Sequence, residues 1–514
     1  MIGKCLELVP CHWFIAAITC VCIHNCDYDT GCALAVKGYS LDMCILCQMA
    51  TAGASVVLSV VPTVSLTSSP SPQDIQKAPN AQLAKAPCKK SGAVRTVKKQ
   101  KLTCKKVGKK LVWVANKKPK TAKTTLPVLS APPTMPAGGE DHAACQLREA
   151  RVNKYQPWNV GFPRGDAYGT PTLPTSGKAN VQLLAIDFPN AVGTSAELVA
   201  AEKEIAEYSK WFEFTSKGTL SFDWQFPKQW LRMSKPTAEY NLKKGDRATV
   251  LPMAQEVVSL ADPLVDFTDS KFVFVLFPRS IKLGVPDLGM ANWRVETNEG
   301  PVKNLFGGSE YFYDRGFDLW SFWIHEWGHP MGLAGHSPRS SISIMDNQNG
   351  SSVVLNVWDT FFSGWLGSDE LYCMPIEEKS KEITLIPLER FQRGPRGVIV
   401  PITDTNALVI ESHRAEGWGK RMLDADYGRQ SGGSGTASYG VSVYWIDTTS
   451  DTNRYVGTDG IIDSDLGEKW ADHVVPAGVK RPFDLLIKGD TVTYKGVTVS
   501  FVKTGDYDTV RITK

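Results

Sequence analysis

Hydrophobic residues in the middle of the chain alternate between two patterns. Residues 181–189 and 271–278 are nearly continuous apolar runs, which are typical of strands buried on both faces. Residues 195–216 and 247–262 carry apolar positions three and four apart, which predicts amphipathic helices. Residues 218–226 alternate like a half-exposed strand. Strands and helices therefore succeed one another, and this order predicts a mixed α/β (α+β) domain.

After Cys373 the pattern changes to short apolar runs separated by Gly and Asp turns. The runs EITLIPL, ALVIES, GVSVYWID and DTVRIT are rich in β-branched residues, as strands of antiparallel sheets are. We therefore predict an α/β domain over residues 144–373 and an all-β, sandwich-like domain over residues 374–514.

The amino-terminal part of the chain shows neither the strand–helix alternation nor the short β runs. We therefore predict that it is a disordered, low-complexity region. Residues 1–70 include the uncharged stretch MCILCQMATAGASVVLSVVPTVSL, which is long enough for a signal sequence or a membrane anchor, and we expect export. Residues 71–143 end in a Pro/Thr/Ala-rich linker that cannot bury a core. Before the linker, residues 88–113 alternate lysines with β-formers between Cys88 and Cys104, which predicts a small β-hairpin module.

Charge is unevenly distributed along the chain. The formal net charge is +4, yet the segment from Lys77 to Lys123 holds sixteen Lys or Arg and no Asp or Glu, which leaves the remainder at −12. A basic segment on an acidic protein predicts attraction to a polyanion, such as a cell-wall or surface polymer. A solvated, extended linker explains the same segment equally well. We find no phosphate-binding loop or specific nucleic-acid motif, and we expect a monomer.

The twelve cysteines are concentrated at the amino terminus, with eight before residue 48. The remaining four suffice for two bridges in an exported chain. We predict that Cys88 pairs with Cys104 and that Cys145 pairs with Cys373. Free buried thiols are the alternative.

Three of the eight histidines fall within the segment HEWGHPMGLAGH. His325 and His329 are four residues apart, so on a helix both imidazoles lie on one face, at a separation suited to one metal ion. In this His-Glu-x-x-His arrangement the imidazoles bind Zn²⁺, and Glu326 is the general base for a water molecule. Gly332 is suited to ending the helix, which lets the chain return His336 as a third ligand. An ordinary pair of surface or core histidines is the alternative.

A family resemblance accompanies these residues. HEWGHPMGLAGH, IMDNQNG and LNVWDTFFSGWLG resemble the metzincin zinc metallopeptidases, and most closely the immune-inhibitor-A family of secreted bacterial metallopeptidases. The similarity extends from about residue 150 to the end of the chain. It implies cleavage of protein or peptide substrates, with Met345 in a methionine turn beneath the zinc ligands. It also implies that residues 218–226 form the edge strand above the substrate cleft; an ordinary edge strand is the alternative.

Two departures from the metzincin pattern concern the third ligand. The family places it six residues after the second histidine, where this chain has Gly335. His336 follows one position later, and Asp346 is the alternative ligand. Pro330 lacks an N–H group and its ring crowds the carbonyl of Glu326, so we expect it to end or kink the helix a turn early.

Weaker signals lie in the carboxy-terminal part. His413 and His473 are isolated, and we expect packed or surface side chains rather than ligands. Aspartates crowd the region after GVSVYWI, and relatives in the suggested family carry structural Ca²⁺. Their spacing matches no regular calcium loop, so solvated turns are the alternative. The aspartates are Asp447, Asp451, Asp459, Asp463 and Asp465.

Together these features predict a secreted zinc endopeptidase, held near a cell surface, in which His325, His329 and His336 bind Zn²⁺ and Glu326 is the general base. The alternative is a non-catalytic surface-binding or adhesion protein that retains a metallopeptidase fold. Glu326 argues against it, because a purely structural metal site has no use for a general base.

Overall fold

The computed structural model divides the chain into two compact units, residues 1–127 and 128–514. The predicted signal or anchor segment, residues 1–70, lies outside the described residues. No helix among the described residues is long and apolar enough to cross a membrane. The structure describes residues 90–115 and 130–514, with gaps at 92, 98–99, 108–109, 152–157, 166–172, 244–245, 286, 291–293, 309–315, 317, 431–434 and 451–469.

The first unit contains a three-stranded antiparallel sheet. β2 and β3 form the predicted hairpin, and β1 adds a third strand. Leu102 and Cys104 are buried in this sheet. Cys104 is disulfide-bonded, while Cys88, its predicted partner, lies outside the described residues. The strands are β1 (Val94–Val97), β2 (Gln100–Val107) and β3 (Lys110–Ala115).

A six-stranded sheet forms the centre of the second unit. Its order is β5-β4-β7-β9-β8, with β6 beside the end of β4. All its pairings are parallel except that of β8 with β9. β4 and β7 are buried on both faces, which explains their continuous apolar sequences. The strands are β4 (Gly177–Asp187), β5 (Leu220–Gln225), β6 (Trp230–Arg232), β7 (Ser270–Leu276), β8 (Asp287–Met290) and β9 (Leu305–Gly308).

Helices cover both faces of this sheet. α1 (Ser195–Thr215) and α3 (Leu319–Met331) share a core with one face, and α2 (Arg247–Ala261) shares a core with the other. α1 begins with a capping box, in which the Thr194 hydroxyl accepts from the Glu197 N–H and the Glu197 carboxylate accepts from the Thr194 N–H. The predicted helices are therefore present, and α3 contains the histidine pair.

Two further sheets follow in the carboxy-terminal part, as the short apolar runs predict. One has the order β10-β12-β13-β14-β15 and the other β11-β18-β17-β16, and apolar side chains of both sheets fill one shared core. The helices α4 (Val357–Phe362) and α5 (Ala425–Gln430) also occur, and α4 packs on the opposite face of the first sheet. The strands are β10 (Leu371–Cys373), β11 (Ser380–Leu385), β12 (Gly397–Thr403), β13 (Asn406–Arg414), β14 (Tyr439–Asp447), β15 (Ala471–His473), β16 (Thr491–Tyr494), β17 (Val497–Lys503) and β18 (Asp508–Thr513).

The predicted disulfide between Cys145 and Cys373 is confirmed. Both residues are buried, and Cys373 is the last residue of β10. The bridge therefore fastens the start of the second unit to its carboxy-terminal sheets.

His413 on β13 is a fully buried, packed histidine. Its Nδ1 lies 2.8 Å from Glu389 Oε1 and its Nε2 lies 3.0 Å from Glu411 Oε1. Burial alone would lower the pKa of His413, but the two carboxylates outweigh burial and raise the pKa to about 10. The Glu411 carboxylate also accepts from the N–H of Val357. A charged imidazolium thus joins β13 to the start of α4.

We predict that His413→Gln lowers the free energy of unfolding by about 3–5 kcal/mol near neutral pH, because it leaves buried carboxylates without their cation. The folded pKa is raised, so the histidine's contribution is complete below its unfolded pKa of about 6.5 and is lost as pH rises through about 10. The difference between wild type and variant should therefore shrink between pH 7 and pH 10 in urea unfolding experiments.

His473→Gln is the matched control for this experiment. Burial, together with the charge on His413, lowers the pKa of His473 to about 3. His473 is therefore neutral at pH 7 and at pH 10. The difference in unfolding free energy between His473→Gln and wild type should be the same at both. A constant difference for His413→Gln as well would contradict the imidazolium assignment.

Candidate metal centre

Bulky apolar residues fix the helix that carries the first two histidines. The rings of Trp323 and Phe274 are 5.2 Å apart, and those of Trp327 and Phe272 are 5.8 Å apart, so α3 is packed tightly on β7. His325 and His329 lie two positions after these tryptophans, on the opposite side of the helix. The sheet therefore holds the helix while its histidine face points away from the strands.

The helix ends as the sequence predicts, at a glycine in the left-handed conformation. Gly332 has φ 110°, and its N–H donates to the carbonyl of His329 over 2.8 Å. The expectation that Pro330 ends the helix a turn early was wrong, because α3 continues to Met331. Pro330 lies in the last turn of the helix. The hydrogen bond that proline cannot donate is therefore lost only at the helix end, where the loss costs little.

Two consecutive residues with positive φ return the chain to the metal site. Gly335 has φ 72° and His336 has φ 60°. The His336 N–H then donates to the carbonyl of Met345 over 2.8 Å. A left-handed backbone is unusual for a residue other than glycine, and here it brings the third histidine to the other two despite its displacement by one position.

The three imidazoles converge on one point. The Nε2 atom of His325 lies 3.1 Å from Nε2 of His329 and 3.2 Å from Nε2 of His336. Nitrogen atoms bound to one tetrahedral Zn²⁺ at about 2.0–2.1 Å are separated by about 3.4 Å. The spacing of the three nitrogen atoms therefore fits zinc.

Main-chain carbonyls orient two of these rings. His325 Nδ1 lies 2.8 Å from the carbonyl of Ile344, and His329 Nδ1 lies 3.2 Å from the carbonyl of Leu333. A carbonyl oxygen only accepts, so each Nδ1 carries the proton and each Nε2 presents a lone pair. Burial, and then the neighbouring His325 and His336, hold the pKa of His329 well below its ordinary value. The rings thus present bare nitrogen atoms to a cation.

Met345, which the resemblance places in a methionine turn, packs against α3 at Gly328. It is buried, and a Cβ atom added to Gly328 would come within 2.4 Å of its sulfur atom. Gly328 stands between His325 and His329 on α3. The methionine therefore packs on the helix backbone directly between the two ligands, in space that only glycine leaves open.

We predict that Gly328→Ala destabilises the protein by about 1–3 kcal/mol, because the added methyl group overpacks the site. In an unobstructed helix the same change would stabilise by about 0.5–1 kcal/mol. Thermal unfolding measures the effect. Gly505→Ala, where a Cβ atom meets nothing within 4 Å, is the matched control, and equal midpoints for the two variants would contradict the packing.

Asp346, the alternative third ligand, does not join the histidine cluster. Its carboxylate accepts from the N–H groups of Ser340 and Ser341, over 2.8 and 2.6 Å. Burial raises its pKa to about 6, although these two hydrogen bonds and Arg339 oppose the rise. Asp346 therefore stabilises the loop that follows His336.

Trp158 packs against the cluster, and Glu326 follows His325 on α3. Glu326 is half-buried, whereas its neighbours along α3 are buried. Trp158 stacks on the ring of His329, with centroids 4.9 Å apart, and Arg151 donates to its carbonyl. Local spacing in the sequence offers no indication of Trp158, because it is far from the histidines along the chain.

The calcium hypothesis remains a prediction. Asp447 accepts from the N–H and hydroxyl of Thr449 within a turn, while the other four aspartates lie outside the described residues. Within the described part of the chain, the three histidines form the only group of three or more candidate metal ligands.

Comparisons with known proteins do not assign a family. No protein-family model matches the sequence, and no curated protein matches it. A functional assignment therefore depends on the chemistry of the site.

Proposed function

We propose that this protein is a secreted zinc endopeptidase with a metzincin-type catalytic domain. The observation that carries the proposal is the convergence of three imidazole Nε2 atoms, with separations of 3.1 and 3.2 Å from His325, on a helix where the half-buried Glu326 follows His325. Three protein ligands with a general base alongside are typical of catalytic zinc sites and not of closed structural ones.

The surroundings of the histidines support the metzincin assignment. A glycine in the left-handed conformation ends the zinc-binding helix, and Met345 packs beneath the ligands. His336 takes the place of the ligand that the family pattern sets at Gly335. The displacement is absorbed by the positive φ of both residues.

Each residue of the site has a defined task in peptide hydrolysis. A bound Zn²⁺ would acidify a water molecule and polarise the scissile carbonyl. Glu326 accepts the proton of the water as its oxygen bonds to the carbonyl carbon, and then donates that proton to the amine as the C–N bond breaks. The carbonyls of Ile344 and Leu333 keep two ligand rings in the required tautomer.

Chelation tests this proposal on the full chain. Casein cleavage should stop on treatment with 1,10-phenanthroline and return when stoichiometric zinc is added. A folded, zinc-loaded protein that cleaves neither casein nor a mixed peptide library would contradict the endopeptidase proposal and favour a non-catalytic binding protein.

We further propose that the lysine-rich first unit retains the exported enzyme at an anionic surface. Lys105, Lys106 and Lys110 are exposed on β2 and β3. Clustered exposed cations attract polyanions in a manner that salt weakens. Sedimentation with anionic cell-wall polymer at low and high salt measures this retention.

A further inference from the structure

The described residues also form a cavity that none of the proposed catalytic residues lines. Its volume is about 350 Å³, within the range of small-molecule sites. The walls come from the end of α1, from α4 and the chain on either side of it, and from the segment between β11 and β12.

Part of the cavity lining is apolar. Leu355 and Leu388 are buried in it, and the rings of Phe214 and Phe391 meet at its rim with centroids 4.6 Å apart. Phe391 is 52% exposed, which is a large exposure for a phenylalanine beside a cavity. These rings offer contact area for an apolar body that enters from solvent.

Cations predominate among the charged residues of the lining. Lys217, Arg393 and Arg396 line it, against the carboxylates of Glu213 and Glu370. Lys217 is paired with Glu370. The net positive charge therefore comes from the two arginines, which outnumber the one remaining carboxylate, Glu213.

The two arginines differ in their partners. Arg396 is buried and donates to main-chain carbonyls, including those of Pro387 and Arg390 over 2.8 and 2.9 Å. Arg393 is exposed, and within the described part of the chain it has no hydrogen bond or ion pair. Its guanidinium is thus available to an incoming anion, beside a second guanidinium that no bonded carboxylate neutralises.

The two arginines also contribute to a lowered pKa of Lys217. Burial is the main cause that lowers this pKa to about 8, and Arg393 and Arg396 contribute to the decrease while Asp369 opposes it. A negative ligand group beside Arg393 would be stabilised by the positive charge of both arginines.

We propose that this cavity binds a small amphipathic carboxylate, with its carboxylate on Arg393 and an aromatic or branched aliphatic body against Phe214 and Phe391. The charge and the apolar wall are both required, because either alone gives weak binding at an exposed rim. This binding site is independent of the proposed zinc chemistry.

Calorimetric titration of the full chain with 4-phenylbutyrate tests the proposal. The neutral 4-phenylbutanamide and the short anion acetate should each bind at least about tenfold more weakly, since each lacks one of the two contacts. Arg393→Gln should weaken 4-phenylbutyrate binding by about tenfold, while Arg393→Lys should retain most of it. Phe391→Ser should weaken binding to a similar extent.

Lys503→Gln removes an exposed cation that does not line the cavity and should leave binding unchanged. Circular dichroism confirms that each variant is folded. Equal affinity for the acid and its amide, unchanged affinity in both Arg393→Gln and Phe391→Ser, or no heat of binding at millimolar concentrations would each overturn the proposal.

Discussion

Glu326→Gln is expected to abolish casein cleavage while the protein keeps its zinc. The glutamine amide cannot accept the proton of an attacking water, and general base catalysis contributes about 10²- to 10⁴-fold to such reactions. Glu326 is not among the three converging ligands. Its replacement should therefore lower kcat with little change in metal content.

Activity and metal content must be measured on the same samples. Cleavage of fluorescent casein gives the rate, and atomic absorption gives the zinc stoichiometry. Glu239→Gln, an exposed carboxylate on another element, should retain full activity. If Glu326→Gln cleaves casein at the wild-type rate, another group is the base and the mechanism fails.

His336→Ala is expected to release zinc at concentrations where the wild type is saturated. Loss of an outer hydrogen-bond partner of a zinc ligand costs about 10- to 100-fold in affinity, and loss of a ligand itself should cost more. Asp346→Asn should keep one zinc per chain. The Asp346 carboxylate accepts hydrogen bonds from main-chain N–H groups and is not part of the histidine group.

Competition with a chromophoric chelator measures the zinc affinity of each of the two variants. The comparison decides between the two third-ligand hypotheses that the sequence leaves open. Zinc retained in His336→Ala but lost in Asp346→Asn would mean that the loop rearranges when metal binds, and it would reverse the assignment.

Much of the fold is predictable because burial leaves a local pattern in the sequence. β4 and β7 are buried on both faces and appear as continuous apolar runs. β8 and β9 are short, contain glycine and carry no such pattern. Their position depends on pairing with each other and with β7, which is a long-range property.

The residues of the candidate site also differ in whether local sequence spacing predicts them. His325, Glu326 and His329 are predictable because a helix brings positions i and i+4 together. The approach of His336 depends on the backbone conformation of two residues and on a hydrogen bond to Met345. Trp158 reaches His329 only through the tertiary fold, so local spacing gives no indication of it.

Main-chain oxygens orient His325 and His329, so the residues that provide these oxygens can vary in sequence. Every residue possesses a carbonyl, so exchange of the side chain at Ile344 or Leu333 preserves the acceptor. Both side chains are buried, and only their volume and apolar character are therefore constrained. A randomised library at these two positions should yield many functional combinations, all apolar, whereas the histidines themselves should tolerate none.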